Sequence, residues 1–366
     1  MKKIKLLHIQ LLPVIAGAQN VMLKILENLD KDKYEIYVLS RSGGPLIEKL
    51  EELQIKHIPV NSLRRDLSFW DFIAFFKIWW ICRKYKYDVV HTHSSKTGFL
   101  GRIAAKLAGI GNVIHTSHGF PFNKYQSKPV RSFYMKCEKI AGWFCDKVVF
   151  VNQHDRKFVI QNKIINSKKA LTIYNGIEVP QKLSPKKNNN RFIIGSSFRF
   201  WKQKNPIRTV NAAIEVCKKN SQIEFIFLGD GELLEECQLL VQDAQLQNRI
   251  IFEAWVTNIF EHLNKFDAFL LYSKWEGLPV SILEAMSVGL PIIASDIVGN
   301  DELVDDNNGK LVSLNEVDKL IDFLITLPLR KDELEKWGKE SRKRVEEKFS
   351  LKEFVNKYKE IYETKA

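Results

Sequence analysis

Five cysteines (Cys82, Cys137, Cys145, Cys217 and Cys237) are few for 366 residues, and no two of them form a CxxC pair. Their odd number and spacing exclude a disulfide scaffold and a cysteine-based zinc or redox motif, and fit a reducing compartment. No run of eighteen apolar residues occurs, so a membrane-spanning helix is not expected. The longest candidate, Phe69 to Cys82, contains Asp71 and Lys77 and is too short to span. Apolar residues at 45% and charged residues at 27% are ordinary for a soluble globular chain, which disfavours disordered and collagen-like classes. The length exceeds what one hydrophobic core organises, so two domains are expected.

What is present begins with a charge asymmetry. Residues 1–185 hold 30 Lys and Arg against 14 Asp and Glu, a balance of +16. Residues 186–366 hold 26 against 29, a balance of −3. A field of one sign therefore belongs to one half, and suits anionic lipid, a phosphate-bearing substrate or nucleic acid. A Lys-rich solubilising surface accounts for part of it.

Met1 to Gln19 has a basic start and Ala16-Gly17-Ala18, which imitates a signal-peptidase site. His8, Gln10 and Pro13 interrupt its apolar stretch, and Ile4–Ile9 reads instead as a first strand. From there short Val/Ile-rich runs alternate with amphipathic segments, the rhythm of βαβ units around a parallel sheet covered on both faces. The expected strands are Ile4–Ile9, Glu35–Leu39, Lys56–Val60, Asp88–Thr92, Val113–Thr116, Lys147–Val151 and Leu171–Tyr174. Pro180 to Asn190 (PQKLSPKKNNN) is polar, without apolar periodicity, and reads as a linker. Beyond it the rhythm restarts with strands at Phe192–Ser196, Glu224–Leu228, Ile250–Phe252, Ala268–Leu271, Pro291–Ala294 and Lys310–Val312, then charged helices at Lys331–Lys348 and Leu351–Thr364. Two doubly wound α/β domains facing a central cleft are expected, with ligands at the carboxyl ends of the strands.

The most informative segment is SKWEGLPVSILEAMSVGLP, Ser273 to Pro291. Pro279 stands where a helix begins, Gly289 where it ends and Pro291 just beyond. Gly277 allows close backbone approach, and the amides of a helix start favour an anion. Glu276 and Glu284 would repel that anion unless they bind hydroxyls, which sugars and ribose supply. A glycosidase acid pair is a poor alternative: its carboxyls stand about 5–9.5 Å apart, whereas eight helical residues rise about 12 Å.

These residues carry a resemblance. E-x7-E from Glu276 to Glu284, within EGLPVSILEAMSVGLPIIASD, is similar to the signature of glycosyltransferase family 4, retaining enzymes of the GT-B fold. GSSFRFWKQKNP (Gly195–Pro206) resembles the family's Gly-Arg-x4-Lys segment, and FLGDGEL (Phe227–Leu233) and FDAFLLYS (Phe266–Ser273) match in order and spacing. HTHSSKTGFLGR (His91–Arg102) and IHTSHGFPF (Ile114–Phe122) resemble bacterial polysaccharide-assembly members. The resemblance implies an acceptor-side domain at 1–180, a nucleotide-sugar domain at 191–348 and a last helix, 349–366, returning to the first domain. It implies that Arg199 and Lys204 bind the donor diphosphate and neutralise the leaving group, work suited to fixed cations where water is scarce. Glu284 would hold ribose hydroxyls, and Glu276 the transferred sugar. Backbone amides from Gly277 through Leu278 to Val280 would reach sugar and phosphate oxygens. His118 would steady the sugar or a developing cation, and Gly17 would leave room for phosphate. Catalytic roles thus fall to His118, Glu276, Arg199 and Lys204, with no metal or other cofactor. Two departures stand out: Ala16-Gly17 replaces the family's paired glycines, and Gly195 lies four residues before Arg199.

His91, His93, His115 and His118 invite a zinc hypothesis, but structural zinc favours cysteine and tight ligand spacing. Arg64 to Lys86 (RRDLSFWDFIAFFKIWWICRKYK) is dense in aromatics between basic ends, which suits peripheral contact with an anionic membrane as well as packing as a core helix. Nothing resembles a nucleic-acid-binding module. The expected activity is transfer of a hexosyl or N-acetylhexosaminyl group from a nucleotide-diphosphate sugar, a UDP-sugar first of all, to a surface polysaccharide such as a capsule or to its lipid-linked precursor. The expected place is the cytoplasmic face of the cell membrane. Alternatives are a GT-B UDP-sugar 2-epimerase, which lacks a reason for the E-x7-E context, and a non-catalytic membrane-bound partner of an assembly complex.

Overall fold

The computed structural model describes residues 2–119, 126–181, 191–254 and 258–364. The expected linker, from residue 182 on, and Phe120 to Phe122 lie outside the described residues. The chain forms two units, Met1–Asn175 with Lys352–Ala366, and Gly176–Leu351. The division falls at Asn175 rather than 180, because Ile177 pairs with Ser350 and its amide donates to the Phe349 carbonyl at 2.9 Å.

Unit 1 runs β1 (Ile4–Ile9), α1 (Gly17–Glu27), β2 (Tyr34–Ser40), α2 (Pro45–Glu52), β3 (Lys56–Pro59), α3 (Trp70–Tyr85), β4 (Val89–His93), α4 (Ser95–Leu107), β5 (Asn112–Ser117), α5 (Lys128–Trp143), β6 (Lys147–Phe150), α6 (Gln153–Gln161) and β7 (Ala170–Thr172). Its parallel sheet has the order β3-β2-β1-β4-β5-β6-β7. The chain winds outward from β1 through β2 to β3, then returns to lay β4 on the other side of β1. That reversal opens a crevice at the carboxyl ends of β1 and β4, where open α/β sheets take ligands.

Unit 2 repeats the plan with β8 (Phe192–Ser197), a 3-10 turn (Lys202–Lys204), α7 (Pro206–Lys219), β9 (Ile223–Leu228), α8 (Leu234–Asp243), β10 (Ile250–Glu253), α9 (Ile259–Leu263), β11 (Ala268–Leu271), α10 (Val280–Ser287), β12 (Ile292–Ser295), β13 (Gly309–Val312), α11 (Val317–Thr326) and α12 (Lys331–Lys348). Its sheet order is β10-β9-β8-β11-β12-β13, so the reversal lies between β8 and β11. The last helix, α13 (Leu351–Glu363), returns to unit 1 and buries Phe354, Val355, Tyr358, Ile361 and Tyr362 there.

Both cores follow from strands with two covered faces. Leu7, Ile9, Val90, Val113 and the inner side of α3 (Ala74, Ile78, Cys82) are buried in unit 1. Unit 2 stacks rings instead, with Phe225, Phe227 and Phe252 in contact across β9 and β10. Gly195 belongs to this core: a Cβ there would stand 1.9 Å from the Phe266 ring, so its place in β8 answers to packing and not to a ligand. Among the described residues no helix is long and apolar enough to cross a membrane.

Candidate active site

In unit 2, β8 delivers Arg199 and the 3-10 turn Lys202–Lys204 to the crevice beside β11. The chain is turned there by Asn205, left-handed at φ +56°, which lets Pro206 open α7 with its fixed φ and missing amide. The turn is stitched to the loop after β11. Gln203 Nε2 donates to the Trp275 carbonyl at 2.9 Å, the Lys274 amide donates to the Gln203 carbonyl at 2.8 Å, and Asn205 Nδ2 donates to the Tyr272 carbonyl at 3.3 Å. Lys204 Nζ then donates to Glu276 Oε1 at 2.6 Å, with side chains 19% and 6% exposed. Two residues of opposite charge, 72 positions apart, are thus brought together at the reversal of the sheet. The resemblance implied that they bind different parts of a donor; in the structure they hold each other. Arg199 lies over the Trp201 ring at 4.9 Å, which aims the guanidinium without neutralising it.

Gly277 and buried Leu278 follow Glu276, and Pro279 caps α10 with no side chain over its first turn. Val280 starts the helix, and half-buried Glu284 sits in its second turn. The helix ends as the proline and glycine spacing predicts, with Gly289 at φ +78°. Gly299, at φ +93°, packs so closely on this loop that a Cβ would lie 2.3 Å from the Gly277 carbonyl oxygen, which fixes the loop from outside.

In unit 1, Gly17 opens α1 with nothing within 4 Å of where its Cβ would be, so space for a ligand exists beside it. Beyond β4, Ser94 takes φ +63° and ψ 158°, a conformation suited to glycine, before α4 begins. Strain of this kind, on the order of 1–3 kcal/mol, collects at functional turns. His118 lies half-buried one residue past β5.

The histidines separate by face. His8 and His91 are in register on β1 and β4, so they point the same way, and His93 two residues on joins them. His115 is on the opposite face, under α4, where Gly98 makes room for its ring: a Cβ at 98 would stand 2.4 Å from His115 Cε1. The four histidines of the zinc hypothesis therefore do not converge, because sheet alternation splits them. His8 was the residue missed as a site candidate. The available signal was a lone imidazole inside an otherwise apolar first strand.

On the shared face a continuous chain of contacts forms. His118 Nε2 lies 3.0 Å from His93 Nδ1, and His93 Nε2 lies 2.9 Å from His8 Nδ1. His8 Nε2 lies 3.4 Å from the Tyr362 hydroxyl, which is 2.7 Å from His91 Nδ1. His91 Nε2 reaches Thr116 Oγ1 at 2.8 Å, and Thr116 Oγ1 reaches the Tyr358 hydroxyl at 3.0 Å. Burial pushes His8 down to about 3 and His118 down to about 4, and holds His91, His93 and His115 well below the ordinary histidine range. All are therefore neutral at pH 7. Ligand atoms of His8, His91 and His93 lie within 4.8 Å of one another, close enough for a metal, but each of their nitrogens already has a hydrogen-bonding neighbour. Asp30 and Asp32 have an Asp-x-Asp spacing but close a turn before β2, with Asp30 Oδ1 accepting the Asp32 amide at 2.8 Å.

With this geometry in hand, residues 15–180 match the family described as Glycosyltransferase Family 4, and residues 180–344 match Glycosyl transferases group 1. The UDP-Gal:alpha-D-GlcNAc-diphosphoundecaprenol alpha-1,3-galactosyltransferase of Escherichia coli is 34% identical, across 98% of this chain and 97% of its own. The chain belongs to glycosyltransferase family 4. The Escherichia coli O-antigen biosynthesis glycosyltransferase WbnH is 29% identical to this glycosyltransferase, covering 95% of it and 96% of WbnH. Anabaena HepE, solved with UDP and glucose, shares the fold at a TM-score of 0.82 and 18% identity, over 98% of each chain. The enzyme's two parallel-sheet units are those of the GT-B fold.

Proposed function

We propose that this glycosyltransferase moves a sugar, with retention, from a UDP-sugar to a lipid-diphosphate-linked glycan during surface-polysaccharide assembly. Support comes from the Lys204–Glu276 pair at the reversal of the second sheet, read beside a relative named for a UDP-galactose donor and a diphosphoundecaprenol acceptor. Unit 2 takes the nucleotide sugar. Arg199 and Lys204 face the diphosphate, Glu284 the ribose and Glu276 the sugar, while Gly277, Leu278 and Val280 present backbone. As the glycosidic bond breaks, charge grows on the departing diphosphate, and cations already oriented by Trp201 and Glu276 stabilise it without reorganisation. That work needs no divalent ion. Unit 1 takes the acceptor; its Gly17 leaves room for the donor phosphate, and its His118 is the polar group that steadies the transferred sugar.

The acceptor's lipid implies a membrane surface. Along α3, Trp79 is half-buried against the core, whereas Phe72 and Trp80 are 66% and 53% exposed. Phe69, Phe72, Phe76, Trp79 and Trp80 line an apolar groove of about 540 Å³, flanked by exposed Arg83, Lys84 and Lys86. On α5, which like α3 packs against α4, Phe133, Ile140 and Trp143 are also exposed. Aromatic tips with a basic rim suit the interface of an anionic bilayer, at about 1 kcal/mol per basic residue near the surface. Our reading is that the enzyme works peripherally at the inner face of the cell membrane.

The test is a panel of UDP-sugars incubated with GlcNAc-diphosphoundecaprenol, with and without chelator, and the product's anomeric configuration read by NMR. An α-linked product from an α-linked donor, formed equally in chelator, is expected. Inversion, a strict metal requirement, or epimerised UDP-sugar as the product would overturn the assignment. In calorimetry Glu284→Ala should weaken UDP binding by about 1.5–3 kcal/mol.

A further inference from the structure

Whether His118 offers a lone pair or an N–H to a bound substrate depends on where its one proton sits, and the hydrogen-bond chain behind it decides. Resting on the reading of unit 1 above, we propose that the His8–His93–His118 chain, anchored on Tyr362, His91, Thr116 and Tyr358, is polarised toward the substrate. His118 then holds its proton on Nδ1 and acts as a hydrogen-bond donor, with His93 and His8 as positioning residues.

A neutral imidazole has one donor and one acceptor, so each link carries one proton and the chain has two possible directions. In the inward direction His118 Nε2–H donates to His93, His93 Nε2–H to His8, His8 Nε2–H to Tyr362, Tyr362 O–H to His91, His91 Nε2–H to Thr116 and Thr116 O–H to Tyr358. The Tyr358 hydrogen is then left over. Tyr358 is fully buried, and its hydroxyl has Thr116 as its hydrogen-bonding neighbour among the described residues. A donor stranded there loses its hydration with no return.

In the outward direction Tyr358 O–H donates to Thr116, Thr116 O–H to His91 Nε2, His91 Nδ1–H to Tyr362, Tyr362 O–H to His8 Nε2, His8 Nδ1–H to His93 Nε2 and His93 Nδ1–H to His118 Nε2. Every hydrogen has an acceptor, and the surplus N–H emerges on His118 Nδ1. Reversing the outer half alone does not help. His8 and His91 would both donate to Tyr362, and the Tyr362 hydrogen would lose its acceptor. The weakest link is the 3.4 Å between Tyr362 and His8. Without it the outward direction would leave only a lone pair on His8 Nε2 unpaired, whereas the inward direction would strand a buried N–H there, so the outward order of His8, His93 and His118 is still favoured. Burial keeps the rings neutral, so the single-proton count holds at pH 7. A neutral donor suits an oxygen of the transferred sugar or phosphate and does not act as a general base.

The test is a two-bond proton–nitrogen NMR correlation of the full-length, ligand-free enzyme with 15N-labelled histidine at pH 7.5, the His118 signals being assigned by their loss in His118→Asn. Expected is the Nδ1–H pattern for His118, the reverse of the preference of free imidazole in water. His93→Leu should return His118 to Nε2–H, while His93→Asn, whose amide can still donate to His118 Nε2, should keep Nδ1–H. Turnover should separate in parallel. His118→Asn, with an amide near the Nδ1 position, should exceed His118→Gln by on the order of 10²-fold, the loss typical of one transition-state donor. An Nε2–H pattern or an imidazolium in the wild type overturns the proposal. So does a pattern that changes on adding EDTA, which would mark a bound metal, or an unchanged His118 tautomer in a folded His93→Leu. Because the spectra need no donor, failure here leaves the nucleotide site of unit 2 standing.

Discussion

Lowering the pH from 7.5 to 5.5 should destabilise unit 1 specifically, by an amount its histidines set. Burial places the folded affinities of His8 and His118 at about 3 and about 4, below the 6.5 of the unfolded chain. Between those values the unfolded chain binds more protons, so the stabilisation is complete above pH 6.5 and is lost as pH falls toward the folded values. At pH 5.5 each of the two has lost about 1.4 kcal/mol, or about 3 kcal/mol together. His91, His93, His115 and His57, also lowered by burial, act in the same direction. Carboxylates with shifted affinity do not confuse the window, since Glu35, Asp305, Glu335 and Glu363 are held below their ordinary values. A loss of about 3 kcal/mol or more is a large part of a typical 5–15 kcal/mol stability. Native-state amide exchange of Leu7 and Val90, corrected for intrinsic rates, reads it without the other unit's contribution. His8→Asn should flatten the pH slope by close to one proton. A change below about 1 kcal/mol would mean that the rings are charged as easily folded as unfolded, and the neutral chain would have to be abandoned.

Lys204→Ala should reduce turnover by about 10²–10³-fold with a smaller rise in donor KM, because the ammonium matters most as the bond breaks; a pure KM effect would move it out of the transition state. Trp80→Ala should abolish binding to anionic vesicles with Tm unchanged, whereas Trp79→Ala should lower Tm; the reverse pattern would refute the reading of α3. Replacing Arg83, Lys84 and Lys86 by Glu should release the enzyme from vesicles while UDP binding persists. Gly98→Ala should destabilise by about 1–3 kcal/mol in thermal melts, since its methyl meets the His115 ring, and a neutral result would show that the ring can move.

Strand positions were legible because both sheets bury runs of Val, Ile and Leu between turn signals, and β1 and β11 fall at the residues the sequence marked. Ends elsewhere shift by a residue or two, as at β4, which carries on to His93 because the imidazoles pack against α13. The Glu276–Glu284 segment was legible because its constraints are local: a proline, two glycines and a helix between them. The Lys204–Glu276 pair was not, since it spans 72 positions and depends on the order β8-β11. Why glycine stands at 195 was not legible for the same reason, its partner Phe266 being distant in sequence. The histidines were seen as a cluster but not sorted by face. Sorting needed the register of β1 on β4, together with two tyrosines more than 240 positions from Thr116 and His91.

Net charge, finally, does not locate the phosphate. The half with the +16 balance spends much of it on exposed lysines and arginines, as at the end of α3, pairs its one fully buried arginine among the described residues, Arg102, with Glu138, and keeps its buried histidines neutral. The half with the −3 balance holds the cations proposed for the diphosphate, Arg199 over an indole and Lys204 against a carboxylate. A long-range field attracts a membrane, but it falls off within a Debye length, about 8 Å in physiological salt. A leaving group a bond length from its charge change responds to the nearest fixed dipoles and cations. On the proposed function, then, the two halves divide the work in opposition to their net charges: one would gather the enzyme to an anionic surface through many weak, screened contacts, and the other would meet a dianion with Lys204 held by Glu276 and Arg199 over Trp201.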